Sequence, residues 1–317
     1  MATNDSPPAP PTRFQRILGN PALFPGVAEA LGPSFCWHTH AGSPRSSQAF
    51  CLSAWYPLAG MQARHEVVER FVAAALPGLP HREGRRWEIE MEVQRPKLLG
   101  EQGGQPSSID VLLRAPDAVV CVESKYLADA DAGFGRCSQF PGSCRGFYGP
   151  GSDLKTGSAA PCRLAIAEGR RQPRRYWQVA ARLFGEQAMT YGTAPGSCPL
   201  NRYYQLARNL FFAAELAQCT GRTHFAALGS APAGKADAVE AEAAGFRQHV
   251  LRPEHAGRVA VTHYERLVES LLESGDEAAA AVGRFVAARL PAPPAPRRTQ
   301  TVRELRKEAE ARRRRQR

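Results

Sequence analysis

The chain has 317 residues, 43% of them apolar and 22% charged, with a formal charge of +11. That length suits one large domain or two small ones, and the balance is that of a soluble globular protein rather than a disordered or fibrous one. No run of about 18 apolar residues occurs, so no membrane-spanning helix is expected.

The N-terminus, MATNDSPPAPPTRF, lacks the basic start and apolar core of a secretory signal, so the expected location is the cytoplasm. The charge is unevenly spread. Arg297 to Arg317 hold ten Arg or Lys against three Asp or Glu, a net +7, which leaves only +4 for the other 296 residues. Such a tail can hold nucleic acid by releasing counterions, or it can be a solvated helical end. Eight cysteines are present, and in a cytosolic chain of this length they read as buried thiols or a metal site rather than disulfides.

Residues 1–12 are Pro-rich and read as a disordered N-terminus. Residues 55–77 carry Leu58, Met61, Val68, Val72 and Leu76 at helical spacing, and Pro77 and Pro80 close that helix. WEIEMEVQ (87–94) alternates apolar and polar residues, as a strand does. SIDVLL (108–113) and VVCVESKY (119–126) are two more strands, and the short link RAPDA suits a hairpin. The first half therefore reads as a helix followed by a three-stranded antiparallel meander.

Residues 128–170 show no period and are rich in Gly, Ser, Pro and Cys, as a functional insertion or a disordered stretch would be. Helical segments follow at about 173–190 and 200–219. THFAALGS (223–230) reads as a fourth strand, 231–245 as a flexible loop and FRQHVLRP (246–253) as a fifth strand. Residues 257–290 are helical, with Tyr264, Leu267, Leu271 and Leu272 on one face. PAPPAP (291–296) links to the charged tail. The expected organisation is thus a single domain over 13–290, an insertion at 128–170, and a Pro-rich linker and basic tail over 291–317.

The chemistry concentrates around two strands. Alternation puts Val119, Cys121, Glu123 and Lys125 on one face of the third strand, and Val120, Val122, Ser124 and Tyr126 on the other. Both faces begin apolar, so this strand is central, and a carboxylate and an ammonium emerge together at its far end. If the hairpin forms, Asp110 lies beside Glu123. Two converging carboxylates make a hard oxygen site suited to Mg2+, and a nearby lysine can orient or deprotonate a water. These are the needs of phosphodiester hydrolysis. The plainer alternative is a Glu–Lys pair on a strand end with Asp110 as a turn residue.

The order helix, strand, SSIDVLL, VVCVESKY resembles the PD-(D/E)XK superfamily of restriction-endonuclease-like nucleases, in an uncharacterised bacterial branch. The resemblance covers residues 55–126. It implies an α/β (α+β) fold: a restriction-endonuclease-like core with a mixed sheet of four to five strands, flanked by helices and carrying the Cys/Gly-rich insertion. It also implies that Asp110 and Glu123 bind Mg2+ or Mn2+ and that Lys125 assists the attacking water. Many members add a Glu from the helix before the sheet. Glu66 matches best, and Glu69 is the fallback. One departure is Ile109, where the motif has Pro. The implied function is a metal-dependent phosphodiesterase acting on nucleic acid, DNA in the first instance, with no membrane partner. A homodimer would let it reach both strands of a duplex. The competing readings are a catalytically inactive nucleic-acid-binding module and a zinc-stabilised protein-interaction protein.

Secondary features remain. Cys137, Cys144, Cys162 and Cys198 could hold a structural Zn2+, although their spacing lacks the tight C-x2-C knuckle, and separate thiols are the plainer reading. Arg170, Arg171, Arg174, Arg175 and Gln178, with Tyr176 and Trp177 among them, suit phosphate contacts and base stacking. A solvated helix face with two core aromatics would look the same. A Gln-x3-Tyr motif of related nucleases is matched by Gln187 and Tyr191, or its Gln by Gln178. Arg208 and Asn209, polar residues in an apolar helix, either satisfy a buried network or face the substrate. His38 and His40 receive no role.

Overall fold

The computed structural model describes residues 11–101, 106–126, 134, 135, 137, 164, 174–189 and 198–291. The N-terminal helices are α1 (Arg13–Leu18), α2 (Val27–Leu31), α3 (Ser47–Ala59) and α4 (Arg64–Ala75). The sequence expectation of one helix over 55–77 is corrected here. Pro57 and Gly60 end α3 with a tight turn, and α4 begins four residues later. Helix α3 is buried around most of its circumference, with Phe50, Cys51, Leu52 and Trp55 all covered, so it runs through the interior.

The strands are β1 (Glu88–Val93), β2 (Ile109–Arg114) and β3 (Ala118–Ser124). They form the antiparallel meander expected from the sequence. After β3 come α5 (Tyr176–Leu183), α6 (Glu186–Met189) and α7 (Tyr204–Cys219), then β4 (His224–Ala231). Next are α8 (Ala233–His249), β5 (Val259–His263), α9 (Tyr264–Leu272) and α10 (Glu277–Ala287). Strand order is β1-β2-β3-β4-β5, and β4 and β5 run parallel to β3. This mixed five-stranded sheet flanked by helices is an α/β fold, the architecture that the resemblance implied.

Two expectations in this region fail. Residues 231–245 are not a loop but most of α8, and the fifth strand is 259–263 rather than 246–253. Among its described residues, Ala-rich α8 buries a narrow stripe, Val239, Ala243 and Phe246, too sparse to show as a broad apolar period. It supplies the crossover that two parallel strands require. Leu272, placed on the apolar face of α9 by spacing, is 45% exposed.

Helices cover both faces of the sheet. On one face, Val119, Cys121 and Leu112 pack with α5, α7 and α8. On the other, Val111, Val120 and Val122 pack with α3, α4, α9 and α10. Every residue of β3 is buried, which is the central position its apolar run implied. None of the described helices is long and apolar enough to cross a membrane.

Candidate active site

The site lies at the C-terminal end of β3. Val111 pairs with Val122, so one step further Asp110 lies level with Glu123. Across β1, the pairs Met91–Val111 and Val93–Ile109 leave Glu92 level with Asp110. Three carboxylates on neighbouring strands therefore form one row, and Gly229 continues it on β4 opposite Glu123. A Cβ on Gly229 would meet Phe134 at 2.6 Å, so the missing side chain makes room for that ring.

Alternation works as the sequence required. Ser124 turns to the α9 side and hydrogen-bonds the Tyr264 hydroxyl, and Tyr126 stacks on Phe50 of α3 at 3.8 Å between ring centres. Glu123 and Lys125 turn to the α7 side. Lys125 Nζ donates to Glu123 Oε1 at 3.0 Å and to Gln205 Oε1 at 2.7 Å. Arg208 Nη2 and Asn209 Nδ2 both donate to Glu123 Oε2 at 3.0 Å. Gln205, Arg208 and Asn209 stand at i, i+3 and i+4, so one face of α7 holds Glu123 and Lys125 together. Burial alone would raise the Glu123 pKa. Lys125 and Arg208 outweigh it and keep the carboxyl below its usual range.

Asp110 is treated in the opposite way. Among the described residues it accepts one hydrogen bond, from the Ser124 backbone N–H at 2.8 Å. Burial, then repulsion from Glu123 and Glu92, raises its pKa to about 7. Burial and this crowding of carboxylates both favour the protonated form of Asp110.

Glu92 is the residue that sequence reasoning missed. Its φ of 50° is left-handed, the only such value at a non-glycine among the described residues. Gln48 Nε2 and Ser108 Oγ each donate to it at 2.8 Å, and His38 Nε2 lies 3.6 Å away. Burial pushes its pKa up, but these partners win and hold it low. In turn Glu92 raises the His38 pKa. The available signal was three glutamates at alternate positions of a strand beside Asp110. Glu88 and Glu90 pair with Arg114 instead.

The two helix glutamates do not join this row. Glu66 is half exposed and pairs with Arg70, with no hydrogen bond or ion pair to Asp110, Glu123 or Lys125. Glu69 is buried with Arg85, which also binds Asp117 in the β2–β3 turn. That turn lies six residues, roughly 20 Å, down the strand from Glu123.

Of the proposed nucleic-acid contacts, Arg174 is buried, with Nε and Nη1 making no hydrogen bond among the described residues. Arg175 pairs with Glu215 of α7 at 2.7 Å, and Gln178 is exposed on α5. Arg170 and Arg171 lie outside the described residues, as do Tyr191 and the basic tail. The proposed zinc ligands divide likewise. Cys137 and Cys198 are buried in the α5–α7 core, while Cys144 and Cys162 lie outside the described residues. Among the described residues, no three His, Cys, Asp or Glu side chains gather closely enough to hold a metal between them.

A mixed five-stranded sheet flanked by helices is consistent with the restriction-endonuclease-like class. The family model described as "Restriction Endonuclease associating with ARP" matches residues 27–287, and the chain belongs to that family. No curated protein and no solved structure gives a significant match.

Proposed function

We propose that this chain is a metal-dependent phosphodiesterase that cleaves nucleic acid, DNA in the first instance. The observation that carries the reading is the row Asp110–Glu123 with Lys125 Nζ 3.0 Å from Glu123, at the C-terminal end of the central strand. Family membership supports a nuclease class.

The donor set fits Mg2+ or Mn2+. A carboxyl raised to about 7 by burial and then by its acidic neighbours marks a place where a divalent cation would replace the proton. Mg2+ commonly uses one or two carboxylates and fills its remaining positions with water and substrate phosphate, so two protein ligands suffice. Asp110 and Glu123 would hold the ion. When bound, it supplies positive charge against the phosphoryl oxygen.

The chain's own groups do the rest. Lys125 has Gln205 and Glu123 fixing its ammonium, so it can orient the attacking water and stabilise the charge that develops. In hydrolysis a water oxygen bonds to phosphorus, the bond to the leaving sugar oxygen breaks, and the proton lost by water is matched by one gained there. Glu92 strengthens the negative field at Asp110, the supporting part that the resemblance implied for Glu66.

The test is cleavage of plasmid DNA by the purified chain in Mg2+, Mn2+ or EDTA. Asp110→Asn, Glu123→Gln and Lys125→Ala should each lower the rate by about 100-fold or more. Undiminished activity in Asp110→Asn and Lys125→Ala sinks the reading. Retention of DNA without cleavage in any metal would favour the binding module.

A further inference from the structure

Arg208 divides its guanidinium between two tasks. Nη2 donates to Glu123 at 3.0 Å and Nε donates to the Asn209 side-chain oxygen at 3.1 Å. Nη1 makes no hydrogen bond among the described residues, and it is not one of the sealed-off polar atoms of the interior. The side chain keeps 10% of its surface accessible. One nitrogen of a largely buried cation is therefore without a hydrogen bond among the described residues, beside the carboxylate proposed to hold the metal.

A guanidinium with two of its nitrogens fixed is pre-oriented for its third to meet an anion. The Coulombic pull of Glu123 keeps the charge in place despite burial. Asn209 binds both Arg208 and Glu123, which prevents the arginine from swinging away. Lys125 is already engaged by Gln205 and Glu123.

We propose that Arg208 contacts the scissile phosphodiester through Nη1, with Glu123 and Asn209 aligning it. This rests on the phosphodiesterase reading of the same site. The consequence is a split in sign. Arg208 competes with a divalent cation for Glu123, so its removal should favour metal binding. It also supplies charge to the phosphate, so its removal should slow cleavage. A purely structural arginine would lose both together.

The experiment uses the full chain with Arg208→Gln, which keeps a hydrogen-bond donor for Glu123, and Arg208→Lys, which keeps the charge. Mn2+ affinity is measured by calorimetry without nucleic acid, and single-turnover cleavage is followed on a short DNA duplex. Arg208→Gln should bind Mn2+ as tightly as the wild type or up to about tenfold more tightly, while cleavage falls by about 100-fold. Arg208→Lys should recover part of the rate. Loss of Mn2+ affinity in parallel with rate, or an unchanged rate, overturns the proposal. If Arg208→Gln does not fold, Arg208→Lys decides by the same two readouts, a fall in rate at wild-type Mn2+ affinity supporting the contact. If the wild type cleaves nothing, the phosphodiesterase reading fails, and duplex affinity in Ca2+ still decides Arg208. Binding about tenfold weaker in Arg208→Gln supports the phosphate contact, and unchanged binding removes it.

Discussion

The two ends of β3 are built from the same residue types and come out differently. At the turn end, Glu69 receives Arg85 Nη1 at 3.1 Å, the Trp87 indole N–H at 2.8 Å and the Arg82 backbone N–H at 2.7 Å. Asp117 takes the other edge of Arg85 at 3.1 Å and pairs with Arg82 at 3.5 Å. Two carboxylates thus face two arginines, and each is satisfied. At the C-terminal end, Glu92, Asp110 and Glu123 face, among the described residues, Lys125 and Arg208, with His38 beside Glu92. Balanced buried charge fastens a turn. Unbalanced buried charge costs stability and is kept where a ligand or a reaction uses it.

The largest effect should come from breaking the balanced end. Arg85→Met strands Glu69, which is only 5% exposed, and should cost about 3–5 kcal/mol in urea denaturation. Metal-induced stabilisation should survive, because the network lies at the far end of the strand. A cost below about 1 kcal/mol would mean that the pairing there is not a structural fastening.

Opposite pH signatures should sharpen the contrast. Asp110 has its pKa raised from 3.8 to about 7 by burial and by Glu123 and Glu92. Its contribution to stability is therefore full below 3.8 and lost as pH rises through 7. Asp110→Asn removes that loss, so in EDTA the variant should exceed the wild type by on the order of 2 kcal/mol at pH 8, the gap closing near pH 4. Burial works against charge at Asp117, but Arg85 and Arg82 prevail and hold its carboxyl low. Its contribution is present at neutral pH and lost as pH falls through the acid range. Asp117→Asn should destabilise at pH 7 and become silent in acid. Thermal melts from about pH 2 to pH 8 read both signs, and parallel curves for the two variants would contradict the comparison.

The meander and the acid pair were legible because they depend on local rules. Strand alternation decides which side chains share a face, and a short link decides the hairpin register that brings Asp110 to Glu123. What escaped depends on distant packing. Helix α8 shows little periodicity because three residues carry its burial, and β5 becomes a strand by docking beside β4. Glu92 adopts a left-handed φ that no propensity announces for a glutamate. Arg208 and Asn209 stood out as polar residues in an apolar helix, yet only the fold shows that α7 crosses the end of β3 and meets Glu123.

The smallest expected effect decides which glutamate supports the site. A helix glutamate before the sheet is what the family resemblance implies, and Glu66 matches it in spacing. In the fold its side chain is 51% exposed and its near partner is Arg70, four residues on. Glu66→Gln should therefore change stability by no more than about 0.5 kcal/mol and leave the Mn2+-induced rise in Tm intact. Glu92→Gln is nearly isosteric and keeps an oxygen for Gln48 and Ser108. It removes one of the charges that repel the Asp110 carboxylate, so the Asp110 pKa should fall and Mn2+ should bind several-fold more weakly as the local negative field drops. Calorimetric titration of the two variants side by side measures this. Weaker Mn2+ binding in Glu66→Gln, with Glu92→Gln unaffected, would return the supporting role to the helix. The opposite result would place it on the strand, where the strained backbone and the row of carboxylates already put the charge.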